Sequence, residues 1–187
     1  MSRILLAPGR YVQGAGAIKE VGLHAVRLGS AAFVIGGKTA LSICGELIVR
    51  SLADKGISCS QEQFAGVSSR KEIDRLARLA AEQGTDIIIA LGGGASIDAA
   101  KAVAHEMNLP VIVIPSTVAT DGPGSALAVI YRDDGVFESY LHLRRNPDCV
   151  LVDTEIIANS PVKFLVAGMG DALGTCWEAR TSIRSGK

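Results

Sequence analysis

Asp86-Ile87-Ile88-Ile89-Ala90-Leu91-Gly92-Gly93-Gly94 is the stretch on which the fold is decided. An apolar run without polar alternation is a strand covered on both faces. It breaks on three glycines and enters an Ala-rich helical segment from Ala95 to about Met107. Strand, tight glycine turn and helix in that order form one unit of a parallel sheet. Upstream, Ala31–Ile35 is a second continuous apolar run, closed by Gly36-Gly37. Thr39–Lys55 has helical spacing at Leu41, Leu47, Ile48 and Leu52 and stops at Gly56. Ile57–Phe64 alternates loosely, as a strand does. Ser68-Ser69 then opens a helix with Ile73, Leu76, Leu79 and Ala80 on one face, a solvated charge run on the other, and Gly84 at its end. Downstream, Pro110–Pro115 is another buried strand.

Apolar strands alternating with helices predict an α/β fold with a mostly parallel sheet, doubly wound by right-handed crossovers and Rossmann-like. After Thr120 the pattern changes. Ser125–Tyr131 and Phe137–Leu143 flank Asp133-Asp134-Gly135, a hairpin signal, and Cys149–Val152 is one more short strand. Ser160-Pro161 starts a new helix, with Ser as cap and Pro in the first position. A domain boundary is placed there. Residues 1–160 form the α/β domain, and residues 161–187 are the start of a helical C-terminal domain, too short to enclose a core alone.

Composition narrows the function classes. The 187 residues carry 19 Lys plus Arg and 19 Asp plus Glu, for a net charge of +0. The balance removes the global electrostatic case for nucleic acid or an acidic membrane surface, and no basic run is longer than Arg144-Arg145. No segment approaches the roughly 20 apolar residues of a membrane span, and Ile4–Ala7 is too short for a signal peptide. Cys44, Cys59, Cys149 and Cys176 have no C-x-x-C spacing, so free thiols in a reducing cytoplasm are expected. A mean hydropathy of +0.31 with only 4% aromatics predicts more apolar surface than one small domain needs. Phe164, Leu165, Val166, Met169, Leu173 and Trp177 in the last segment would supply it, so a homo-oligomer is expected.

The glycine turn is where chemistry enters. Glycines let the backbone approach a phosphate, and the free N–H groups of the next helical turn point at it. The run is neither G-x-G-x-x-G nor a G-K-[ST] loop, so an unliganded tight turn competes with this reading. Asp98 and Lys101 follow on one helical face, where an i,i+3 ion pair is the alternative to a ligand role. Pro115-Ser116-Thr117-Val118-Ala119-Thr120-Asp121-Gly122 ends the next strand, and ligands of open parallel sheets sit at such ends.

At these residues the chain resembles the iron/zinc-containing polyol dehydrogenase superfamily, and within it the glycerol dehydrogenase branch. The resemblance is carried by Gly92–Lys101, PSTVATDGPGSALAVIY over 115–131, NPDCVLVD over 146–153 and GMGDALGTCWEAR over 168–180. It implies a two-domain cytoplasmic oxidoreductase whose N-terminal domain binds NAD. Glycerol, or a related vicinal diol, would be oxidised to dihydroxyacetone at a metal-polarised alcohol, usually with zinc. Gly94, Ala95, Ser96, Ile97 and Asp98 would hold the pyrophosphate region. Ser116, Thr117, Val118 and Ala119 would line the nicotinamide half. Ser125, Leu127 and Tyr131 would contact the cofactor from the following segment. Asp121 would face the substrate hydroxyls, and Asp171 would be the carboxylate ligand of the metal. Without the resemblance, Asp121 reads equally as a turn residue and Asp171 as an acid in a helix.

Two departures stand out. The resemblance implies an acidic residue just after the first strand, where Gly37 stands here, followed by Lys38. It also implies two His ligands for the metal, and none of His24, His105 and His142 matches such a position. The zinc site is therefore expected to be incomplete, and the chain is read as the N-terminal half, or a truncated form, of such an enzyme. A catalytically inactive nucleotide-binding or self-associating fragment is the alternative.

Overall fold

The computed structural model describes residues 5–185. Its centre is a six-stranded sheet in the order β1 (Tyr11–Gly14), β8 (Cys149–Asp153), β5 (Val111–Pro115), β4 (Ile87–Gly92), β2 (Ala31–Gly36) and β3 (Ser58–Gln63). Every pairing in it is parallel. A separate antiparallel hairpin joins β6 (Leu127–Tyr131) to β7 (Phe137–His142). The helices are α1 (Val21–Ala25), α2 (Lys38–Ala53), α3 (Arg70–Glu82), α4 (Gly94–Met107), α5 (Thr154–Ala158) and α6 (Val162–Ser185).

Strand side chains alternate between two cores. Ala32, Val34, Ile87, Ile89, Leu91, Ile112 and Ile114 pack with α1 and α2. Phe33, Ile35, Ile88, Ala90, Val111 and Val113 pack with α3, α4 and the hairpin's Ile130. Apolar cover on both sides is why β4 is buried at every position and reads as an uninterrupted run. The polar β3 is tolerated because it is an edge strand, with β2 as its partner.

Two short elements, β1 and α5, carry no periodic signal, and Asp153 places both. This carboxylate is 1% exposed. It accepts from the amides of Gly16 (3.2 Å) and Ile18 (3.0 Å) and caps α5 through the amides of Glu155 (3.0 Å) and Ile156 (3.4 Å). The opening segment is thus tied to the C-terminal end of β8. The expected Ser160 cap takes a different form. Its hydroxyl donates back to the Ile157 carbonyl (2.8 Å), and α6 begins at Val162. The strand and helix expectations over 31–152 are otherwise met within a residue or two.

Asp153→Ala leaves four backbone donors short of an acceptor and is expected to lower unfolding free energy by about 2–4 kcal/mol in urea titrations. Asp153→Asn, which keeps an acceptor, should lose less. His24 lies on α1. Its Nδ1 lies 3.1 Å from Arg10 Nη1, and its Nε2 is buried with no partner among the described residues. Burial, then the Arg10 charge, hold its pKa below the ordinary 6.5. The folded chain therefore resists a proton that the unfolded chain accepts, so stability falls as pH drops below that ordinary value. Urea midpoints between about pH 8 and about pH 5 should fall less steeply in His24→Gln than in the wild type.

Candidate functional site

The chain winds outward from β2 in two directions. From β2 it passes through α2 to β3, then returns through α3 to β4 on the other side. The topological switch point therefore lies between the C-terminal ends of β2 and β4, where open α/β sheets bind ligands. Both strands end there on glycine, with Gly36 paired to Leu91. Gly92 has φ 132°, and a Cβ on it would stand 2.5 Å from Ser96 Oγ and 3.6 Å from the Gly37 nitrogen. The two glycine turns therefore sit side by side, and the position of Gly92 requires glycine.

Helix capping separates these turns from those that start α3 and α5. Ser69 caps α3 and Asp153 caps α5 with side-chain oxygens. The cap positions of α2 and α4 are Gly37 and Gly93, and neither helix has a side-chain cap. Their first-turn amides have no intrahelical partner. Two uncapped, positively polarised helix starts converge on one crevice, an arrangement suited to a diphosphate. Gly93 and Gly94 are half-buried and Ala95 is exposed, so the turn opens to solvent.

The expected cofactor residues fall into two groups. Gly94 and Ala95 present backbone at the mouth. Ser96 and Ile97 support it from below: the Ser96 hydroxyl donates to the Leu91 (3.1 Å) and Gly93 (3.0 Å) carbonyls, and Ile97 is a core residue. Asp98 turns to Lys101 Nζ at 3.3 Å, so the ion pair foreseen as the alternative is formed. Burial pushes the Asp98 carboxyl up and the Lys101 ammonium down from their usual values, while each charge opposes the other's shift.

Ser116, Thr117, Val118 and Ala119 are half-buried at the end of β5, and the Ser116 amide donates to the Gly92 carbonyl (2.9 Å). Thr117 and Thr120 adjoin the glycine turn: Cβ atoms on Gly93 and Gly94 would lie 3.7 Å and 3.6 Å from their side chains. The same two residues line a cleft of about 530 Å³. Val118, Asp121, Val152 and Leu165 also line it, with Tyr11 and Gln13 from β1, which the sequence reading did not single out. Asp121 is exposed at its edge. Ser125, Leu127 and Tyr131 are half-buried along the segment that crosses α4, and the Tyr131 amide donates to the Ser68 carbonyl (2.9 Å).

Asp171 on α6 is exposed, and its Oδ2 accepts from the Asp121 amide at 3.0 Å. Beside it, a Cβ on Gly168 would stand 1.8 Å from the Val118 carbonyl oxygen. A glycine inside a helix is unfavourable by about 1 kcal/mol against alanine, and this close approach is the packing reason for it. Among the described residues no group of three His, Cys, Asp or Glu side chains could hold a metal ion. Asp171 by itself does not make a metal centre. At the adenosine end, Gly37 offers no side-chain acceptor and Lys38 is exposed. Glu62 and Glu72 are both engaged by Arg75, at 2.6 Å and 2.8 Å.

Comparison with known proteins agrees with this geometry. Residues 8–154 match the family model for iron-containing alcohol dehydrogenase. A glycerol dehydrogenase of Escherichia coli O6:H1 is 43% identical over 186 residues, covering 100% of this chain and 51% of that protein. One from Thermotoga maritima is 47% identical over 175 residues, covering 93% of this chain and 47% of that protein. The crystal structure of a probable glycerol dehydrogenase from Sinorhizobium meliloti superposes with a TM-score of 0.91 at 38% identity, covering 99% of this chain and 50% of that one. The chain spans about half the length of the curated relatives it matches. A match over most of its length, on a parallel sheet whose switch point carries two uncapped glycine turns, shows that the chain belongs to the iron-containing alcohol dehydrogenase family.

Proposed function

We propose that this chain is the nucleotide-binding part of an NAD-dependent glycerol dehydrogenase, acting on glycerol or a related vicinal diol. The observation that carries the reading is the pair of uncapped helix starts, α2 and α4, meeting at the switch point beside a cleft. The likeness to glycerol dehydrogenases over the whole chain supports the substrate class. Residues 1–160 are assigned to the NAD-binding domain and 161–187 to the beginning of a helical domain. The exposed apolar stripe of Val166, Met169, Leu173 and Trp177 on α6 supports assembly as a homo-oligomer.

The glycine backbone of the Gly92–Gly94 turn fits a pyrophosphate, which would accept from the amides of Gly94, Ala95 and Ser96. Ser96 and Ile97 hold that turn against the sheet. Ser116, Thr117, Val118 and Ala119 line the path from the turn to the cleft and position the nicotinamide half. Ser125, Leu127 and Tyr131 form the opposite wall, and Asp121 at the cleft edge orients substrate hydroxyls. NAD supplies the hydride acceptor. Asp171 is the carboxylate this chain would offer to a metal, but the described residues do not complete a site. With no acid at Gly37, and with Glu62 and Glu72 held by Arg75, the ribose end discriminates weakly against a 2′-phosphate.

Gly93→Asp tests the reading with little risk to the fold. Gly93 has φ −94° and ψ −177°, and a Cβ there meets nothing closer than 3.7 Å. An Asp there would cap α4 with its own carboxylate and repel a diphosphate. Thermal stability should hold or rise by about 1 kcal/mol, while NADH affinity by calorimetry should fall roughly a hundredfold. Equal NADH binding by wild type and G93D would refute the assignment.

A further inference from the structure

We propose that Lys101 is a positioning residue: its buried ammonium clamps the backbone of 122–127 and so fixes the wall of the crevice that faces the glycine turn. This deepens the nucleotide reading and rests on it. Lys101 is 1% exposed, in the middle of α4. Its Nζ donates to the carbonyls of Gly122 (2.9 Å), Ser125 (3.4 Å) and Leu127, and lies 3.3 Å from Asp98 Oδ1. An ammonium has three donors, and here they are spent on one stretch of irregular chain and one carboxylate. An i,i+3 pair on a solvated helix face would have no such partners.

The clamped segment lies between two parts of the proposed site. It begins directly after Asp121 and includes Ser125 and Leu127. The clamp starts from the same helix whose first turn would face the diphosphate, so α4 carries both walls of the crevice. Other ties on this stretch are weaker in charge. Ser125 Oγ donates to the Gly122 carbonyl (3.0 Å), and Asn146 Nδ2 to the Gly124 carbonyl (2.8 Å). Removing the ammonium leaves three carbonyls short of their charged donor, and none of the three belongs to β2, β4 or β5.

The test uses the full chain with NADH as the probe. Lys101→Met leaves the half-buried Asp98 carboxylate without its counter-charge, so the double variant D98N/K101M is made as well, to keep the fold without the charge pair. Hydrogen exchange read by mass spectrometry should quicken about tenfold in peptides spanning 121–129 in both variants. Peptides from β2, β4 and β5 should keep their protection. NADH affinity should fall about tenfold in both variants. Unchanged exchange in 121–129 would overturn the clamp, as would loosening spread evenly through the sheet. A loosened loop with wild-type NADH affinity would overturn the positioning role. If the wild-type chain binds no NADH, the nucleotide reading fails and loop exchange alone decides the clamp.

Discussion

Backbone amides that the fold leaves without side-chain caps are the constraint on which the rest depends. Helix starts are electropositive and hold orphan donors, and a chain ordinarily satisfies them with Ser, Thr, Asp or Asn. This chain does so at α3 with Ser69 and at α5 with Asp153. At α2 and α4 it has glycine instead. Glycine contributes no acceptor, yet allows the sharp turn out of the strand, and at Gly92 the conformation and the Ser96 hydroxyl exclude any side chain. The sheet order then brings those two starts, and not the capped ones, to the switch point. Local backbone chemistry and global topology converge on one crevice.

Open donors need rigid surroundings, and these come from buried polar side chains that bind backbone. Ser96 staples the glycine turn to β4, Lys101 grips 122–127, and Asp153 gathers the opening segment and α5. Each reaches from a regular element to an irregular one. Such groups are unfavourable to bury without partners, so their full satisfaction selects one arrangement of each loop. The apolar cores on the two sheet faces supply the free energy; these contacts make the loops specific.

The legibility of the sequence follows the same division. β2, β4 and β5 and the helices between them were readable because the strands are continuous apolar runs, the helices show a period, and glycine or proline punctuates their ends. The glycine turn was readable because its composition is its mechanism. β1 and α5 were not, since Tyr11–Gly14 and Thr154–Ala158 are too short to show a period and are placed by Asp153 from a distant part of the chain. For Asp98 and Lys101 the spacing announced an ion pair, and the pair exists, but spacing carries no information about carbonyls more than twenty residues away. The β1 side chains Tyr11 and Gln13 line the cleft only because parallel pairing sets that strand beside β8.

Helix α6 extends this logic beyond the sheet. It has no buried residue, yet it is not a free appendage. Leu165, Gly168 and Asp171 are spaced three apart on one face, and each meets the cleft or the loop after β5: Leu165 lines the cleft, Gly168 takes the Val118 carbonyl, and Asp171 receives the Asp121 amide. Val162, Val166, Met169, Leu173 and Trp177 follow a helical period on the opposite side and are exposed. The docking face is small and polar, so it burdens the loop with little apolar contact and relies on close backbone approach for its register. A shift of α6 along its axis would drive a side chain into the Val118 carbonyl and withdraw the acceptor from the Asp121 amide in the same movement. The position of Asp171 is thereby set by the same loop that carries Thr117 and Asp121, which couples the start of the helical segment to the geometry of the crevice.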